Sequence, residues 1–417
     1  MFDSHKQIAG SVIALLFFLL PCGACAGETV LHVFQHRGDG AFPQAGLVGD
    51  GAGNLYGTTP AGGTHGCIDG CGTVFKISSD STETIFYDFC GQPGCSDGAT
   101  PYAGLIIDME GNLYGTTTAD GQNGGGTVFK LAPDGTETTL YAFCSESDCA
   151  DGKSPRGRLI MDGSGNLYGT TIWGGDSKCR YSEGQGCGTV FKLSPDGVLT
   201  VLHAFKGRSD GAFPLAGVIM DTFGNLEGTT YRGGGSAACG EGCGSVFSVT
   251  QSGSETVIYT FQDGADGGYP MADLLADSSG DFYGTTRLGG THGAGTVFKI
   301  AANGTETVPL SFCALEKCND GAEPRGGVIA DKAGNFYGTT FYGGGHFCKK
   351  NGGVGCGTVF KLAPDGTETV LYSFTGGSDA RNPVGGVIAD GAGNLYGATE
   401  LGGKGNRGYG TVFEVSK

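Results

Sequence analysis

Short runs rich in Val, Ile, Leu, Phe and Tyr, with polar residues set between the apolar ones, recur from Thr29 to Val415 and are separated by Gly, Pro, Asp and Asn. This pattern predicts antiparallel strands joined by tight turns. The clearest block is Gly-Asn-Leu-Tyr-Gly-Thr-Thr, Gly165 to Thr171. Seven copies are legible, starting at Asn54, Asn112, Asn166, Asn225, Asp281, Asn335 and Asn394, in steps of 58, 54, 59, 56, 54 and 59 residues. So regular a period predicts one closed repeat array, where length alone would suggest two or three domains.

Each repeat runs Asp-Gly-x-x-Pro, a short apolar strand (Gly104 to Asp108), a turn, the Asn-Leu-Tyr-Gly-Thr-Thr strand, a loop of variable length, Gly-Thr-Val-Phe-Lys-Leu (Gly126 to Leu131), a Pro-Asp-Gly turn and a Thr-Glu-Thr strand. Four antiparallel strands repeated seven times predict an all-β fold, a seven-bladed β-propeller of four-stranded blades. The chain opens on Glu28 to Phe34, a copy of the strand that elsewhere ends a repeat, and stops three strands into its last repeat. The opening strand is therefore expected to complete the last blade beside Gly410 to Val415 and close the ring. Leu167 and Tyr168 alternate in direction and are expected in the core between blades, and the following Gly is expected to permit close packing near the axis. The proline should open the innermost strand, where a missing N–H does no harm.

Composition narrows the setting. Gly (84) and Pro (14) are abundant but periodic, which fits a turn-rich β protein rather than disorder. Forty-two acidic against 25 basic residues give a net charge of −17 and leave no basic stripe for nucleic acid. Lys6, the apolar run Val12 to Leu20 and Ala24-Cys25-Ala26 predict a signal peptide over 1–26 and a single mature domain over 27–417. The run is too short for a membrane span. Cys25 as a lipid-attachment site is the less favoured reading, because Cys22 stands where an aliphatic residue would be wanted.

In an exported chain the remaining 14 cysteines predict seven local disulfides: Cys67/Cys71, Cys90/Cys95, Cys144/Cys149, Cys179/Cys187, Cys239/Cys243, Cys313/Cys318 and Cys348/Cys356. All fall in loops that an antiparallel blade sends to one face, opposite the Pro-Asp-Gly turns. Stapled, varied loops on one face are where binding or catalysis usually sits.

The two residues after Thr-Thr differ in every repeat: Pro60-Ala61, Thr118-Ala119, Ile172-Trp173, Tyr231-Arg232, Arg287-Leu288, Phe341-Tyr342 and Glu400-Leu401. From these, Trp173, Tyr231, Arg232, Arg287, Phe341, Tyr342 and Glu400 are the candidate ligand site, of a kind suited to sugar rings. His65, His292 and His346 lie in the same loops without spacing that supports a role. The Asp-Gly-x-x-Pro aspartates (Asp39, Asp97, Asp151, Asp210, Asp266, Asp320 and Asp379) invite a cation, but a recurring turn cap explains them more simply. No nucleophile elbow, zinc-protease helix or phosphate loop is present, and no cofactor or metal is expected.

The recurring Gly-Asn-Leu-Tyr-Gly-Thr-Thr, Gly-Gly, Gly-Thr-Val-Phe-Lys-Leu and Asp-Gly-Thr-Glu-Thr blocks closely resemble the GloVer tandem-repeat family of exported bacterial proteins over residues 28 to 417, with a looser similarity to NHL-type propellers. The resemblance implies a secreted, periplasmic or surface propeller and supplies no catalytic residues. The reading that follows is a monomer binding a polysaccharide or surface protein on its stapled face. The alternative is a polysaccharide lyase or glycosidase with its site on the same face.

Overall fold

The computed structural model describes residues 27–179, 181, 184–346, 348, 354–377, 379–403 and 408–416. The predicted leader, with Cys22 and Cys25, lies outside the described residues.

Seven antiparallel sheets follow one another in sequence and radiate from a central channel. In blade 2 the order from the channel outward is Ile106–Ile107, Leu113–Thr117, Thr127–Leu131 and Glu137–Ala142. The innermost strand is shorter than the expected Gly104 to Asp108, because the residues after the proline line the channel instead of extending the ladder. Blade 7 takes its outermost strand from the start of the chain. Glu28–Val33 pairs with Thr411–Val415, with Glu28 opposite Val415 and Val33 opposite Thr411.

Phenylalanine joins blade to blade. The residue following each outermost strand meets the Phe of the next blade's third strand edge-on, as in Phe143 with Phe191 at 5.2 Å between centroids. The same pair occurs at all seven junctions, and Phe34 with Phe75 at 5.0 Å makes the one that closes the ring. Such pairs add about 1 kcal/mol to the burial of the rings themselves. The Gly of the motif makes room for these rings, a different role from packing near the axis. Gly169 stands opposite Phe191, and a Cβ there would lie 2.8 Å from the ring.

The remaining frame residues also find partners. The second Thr bonds within the blade, Thr171 Oγ1 to Thr189 Oγ1 at 2.8 Å. The first reaches the next blade, Thr170 Oγ1 donating to the Ala216 carbonyl at 2.7 Å. Blade 7 has Ala398 at this position and lacks the bond. Leu167 and Tyr168 are buried as expected, and the tyrosine hydroxyl donates to Asp162 in the turn before the strand at 3.0 Å. In blade 4 that tyrosine is replaced by Glu227, buried beside Ser248.

Three of the cysteine-bearing connections differ from the plain loops expected of them. Cys95, Cys149 and Cys318 each end a single turn of 3-10 helix, Pro93–Cys95, Ser147–Cys149 and Glu316–Cys318. These three cysteines sit in the left-handed region, with φ of 52°, 52° and 51°. The residue before each is left-handed as well, Gly94 at 69°, Asp148 at 54° and Lys317 at 58°, so the turn cannot propagate into a longer helix.

Candidate functional site

Seven inner strands converge on the axis, and the residues just after each Asp-Gly-x-x-Pro proline line a cavity of about 270 Å³. The second residue after the proline is Ala or Gly in every blade, because adjacent strands touch there: a Cβ on Gly157 would lie 2.5 Å from Ala216. The first is free to vary and reads Gln44, Tyr102, Arg156, Leu215, Met271, Arg325 and Val384. Deeper in, where five blades carry Gly, Arg158 and Asp273 form an ion pair at 3.4 Å, and Asp273 also accepts from the Gly217 N–H.

The residue before the proline is held in the left-handed region in all seven blades, although none is glycine: Phe42, Thr100, Ser154, Phe213, Tyr269, Glu323 and Asn382 have φ between 51° and 61°. This conformation is costly for such side chains. The reward is a hydrogen bond to the preceding blade, such as the Phe213 N–H to the Cys187 carbonyl at 2.9 Å. The proline ring then seats on the Gly of the preceding Gly-Thr-Val-Phe. A Cβ on Gly126, whose φ is 89°, would lie 2.1 Å from the Thr117 carbonyl and 3.0 Å from Pro155.

All seven predicted cysteine pairs are bonded. They divide into two kinds: four lie in the loop between a blade's second and third strands, and three in the connection from one blade's outermost strand to the next blade's innermost. In Cys67–Cys71, Cys179–Cys187, Cys239–Cys243 and Cys348–Cys356 the second cysteine gives its carbonyl to the left-handed residue before the next blade's proline, so these four staples help to hold the rim of the channel mouth. Cys90–Cys95, Cys144–Cys149 and Cys313–Cys318 do not give a carbonyl to that residue. Their work is internal to the connection between blades. The Cys149 carbonyl accepts from the Gly152 N–H at 2.9 Å and the Gly175 N–H at 3.0 Å, and the Cys318 carbonyl accepts from the Gly321 and Gly344 N–H groups, both at 2.9 Å. The Cys95 carbonyl does the same for Gly98 and Gly121. Cys95, Cys149 and Cys318 are therefore structural ties between the helical turn and the loop after the second strand of the blade that follows.

Four of the predicted ligand residues fall in two side-chain groups at the mouth, Tyr231, Arg287 and Phe341 in one and Glu400 in the other. Arg287 Nη1 lies 3.4 Å from the Tyr231 hydroxyl, and Arg287 Nε donates to Glu323 at 3.0 Å. Glu323 also accepts from Arg325 at 3.3 Å, and the Arg325 guanidinium lies 3.4 Å above the Phe341 ring. Glu400 accepts from Gln44 at 3.2 Å, Gln44 accepts from Arg156 at 3.2 Å, and Arg156 stacks on Tyr102 at 4.6 Å. Burial pushes the Glu400 carboxyl above its usual range against the pull of Arg325, Arg156 and Arg381. Burial likewise lowers Arg156 and Arg381.

The other three predicted residues stand beside this constellation. Trp173 packs on Phe213 at 4.8 Å, Arg232 pairs with Glu241 of its own stapled loop, and Tyr342 lies edge-on to Phe341 at 4.7 Å. His65 faces Asp88 and His292 bonds Thr291, while His346 is exposed in a third blade, so the three do not converge. The recurring aspartates cap turns. Asp97 is fully buried and accepts from Tyr87 at 2.9 Å and from the Gly91 N–H at 3.0 Å.

Gln44, Tyr102, Arg156, Glu323, Arg325 and Arg381 were not among the sequence candidates. For all but Arg381 the signal was present: the positions flanking the constant proline also vary from repeat to repeat, whereas Arg381 stands one residue further back, where four blades carry Ala.

The chain belongs to the Gloeobacter/Verrucomicrobia repeat family, whose model matches residues 16–182 and 147–350. No curated protein matches it significantly. Among solved structures, it is similar to the extracellular domain of a one-component system of B. thetaiotaomicron, at 12% identity and a TM-score of 0.52 over 92% of this chain and 40% of that one. It is also similar to a puromycin hydrolase S511A mutant, at 12% identity and a TM-score of 0.51 over 87% and 50% of the two chains. A gluconolactonase from Xanthomonas campestris aligns over 94% of this chain and 89% of its own at 13% identity, with a TM-score of 0.42. These likenesses concern the fold.

Proposed function

We propose that this protein is an exported propeller that binds a saccharide at the channel mouth on its disulfide-bearing face. The carrying observation is a pair of side-chain runs, Tyr231–Arg287–Glu323–Arg325 and Glu400–Gln44–Arg156–Tyr102, related by the charge of Arg325 acting on Glu400, in which frame residues give way to polar and aromatic groups. A repeat protein needing only a ring would place the same residue at each equivalent position. Rings flanked by planar donors suit a sugar, which offers an apolar face and hydroxyls. Seven disulfides and the apolar run near the start of the chain support export.

The test is retention of the purified mature protein on a panel of polysaccharides, with new reducing ends and unsaturated uronates followed in parallel. Retention lost in Tyr231→Ala and Arg325→Ala supports binding at the mouth. Cleavage would replace binding with catalysis, and indifference to every polysaccharide would remove the saccharide reading.

A further inference from the structure

The whole chain carries a net charge of −17, yet its channel mouth has the opposite sign. Four guanidiniums, Arg156, Arg287, Arg325 and Arg381, stand there against the carboxylates of Glu323 and Glu400. Two of the guanidiniums lie over aromatic faces, Arg156 on Tyr102 and Arg325 on Phe341. A guanidinium held over a ring keeps its N–H edges for a planar acceptor. Arg325 Nε is buried and has no hydrogen-bond partner. Glu400 shows that three of these guanidiniums, Arg325, Arg156 and Arg381, act on one carboxyl position, although burial still pushes the Glu400 carboxyl above its usual range.

We infer that the ligand is a carboxylated saccharide, a uronate or sugar acid whose carboxylate is received between Arg156 and Arg325. This deepens the saccharide-binding reading and rests on it. Arginine pairs with carboxylates through two parallel N–H bonds, which a hydroxyl cannot match in charge or geometry. The cavity of about 270 Å³ lies at the small end of ligand pockets, which suits a single terminal sugar entering end-on rather than a chain threading the channel. Affinity is therefore expected to depend on the terminal residue and little on chain length.

The experiment is calorimetric titration of the full mature protein with glucuronate, galacturonate and trigalacturonate, with glucose and maltotriose as neutral counterparts and polyglutamate as an acidic peptide. Expected are binding of at least one uronate probe, at least tenfold tighter than any neutral sugar, and several-fold weakening between low and physiological salt. Arg156→Ala and Arg325→Ala should each lower affinity at least tenfold. Arg325→Lys, which keeps the charge and loses the fork, should recover only part of it, which separates recognition from a folding defect. Neutral sugars binding as tightly as uronates would overturn the carboxylate inference and leave the saccharide reading standing. Polyglutamate alone binding, or no probe binding, would overturn both.

Discussion

Glu227 offers the most quantitative test of the packing. In six blades the motif carries tyrosine, whose hydroxyl can reach the preceding aspartate, and Tyr168 is stacked by Lys192 at 5.7 Å. Blade 4 has Glu227 opposite Ser248 in that place. The carboxyl is 3% exposed, Ser248 donates to Oε1 at 3.0 Å, and Oε2 has no partner. Burial, with a smaller contribution from Asp221, raises its pKa from 4.5 to about 7. The folded protein therefore binds more protons than the unfolded chain between about pH 4.5 and 7, so this group's contribution to stability falls as pH rises through that window. The shift corresponds to about 3 kcal/mol at full effect. Glu227→Gln keeps the shape and removes the titration. It should raise Tm at pH 8 by about 2–4 °C, since a ring of this size gains roughly 1 °C per kcal/mol. At pH 4.5 the variant and parent should melt together. Scanning calorimetry in matched salt across pH 4.5 to 8 reads this difference. Melting curves offset by the same amount at every pH would refute the reasoning.

The whole molecule should share this trend. Burial and a neighbouring aspartate raise Glu28 and Glu306 to about 7 and Glu368 to about 8, so Tm should decline from mildly acidic pH towards pH 8 rather than peak at neutrality. Phe34→Ala should cost about 3–5 kcal/mol and match Phe143→Ala in its effect on unfolding, because both empty the same junction; a much smaller loss at Phe34 would argue against ring closure there. Ala398→Thr should gain about 1 kcal/mol by restoring the missing bond to the Ala45 carbonyl, read as a higher Tm. Reduction of the disulfides under native conditions should loosen the mouth before the ring unfolds, seen as faster amide exchange at Phe213 and Tyr269 than at Phe191.

The architecture was legible because the residues that build it are the ones that recur. Gly169, Phe191 and the proline each meet a neighbour that is the same in every blade, so their contacts are written seven times over. The closing strand was readable for the same reason. The mouth is different in kind. Arg156, Arg325 and Glu400 come from three blades and two positions of the repeat, and only the register of the ring brings them within range of one another's charge. Variation after Thr-Thr singles out Tyr231, Arg287, Phe341 and Glu400 as candidates, whereas the variable positions beside the proline are hidden because the proline explains that segment as frame. The left-handed residues before it were hidden too, since sequences as different as Phe213-Pro214 and Glu323-Pro324 adopt the same strained turn for the sake of one inter-blade hydrogen bond. Spacing paired Cys144 with Cys149 and Cys313 with Cys318 correctly, but it carried no sign of the helical turns that end at Cys149 and Cys318. A single turn is too short to show helical periodicity, and its left-handed Asp148 and Lys317 are residues that read as loop.

The most direct measurement of the central claim is hydrogen–deuterium exchange of the mature protein with and without trigalacturonate at saturating concentration. Binding at the mouth predicts slower exchange in peptides containing Gln44, Arg156, Arg325 and Glu400, with the Pro-Asp-Gly turns at Pro133 and Pro364 unchanged. Protection confined to those turns or to the outer strands, with the mouth unaffected, would contradict it.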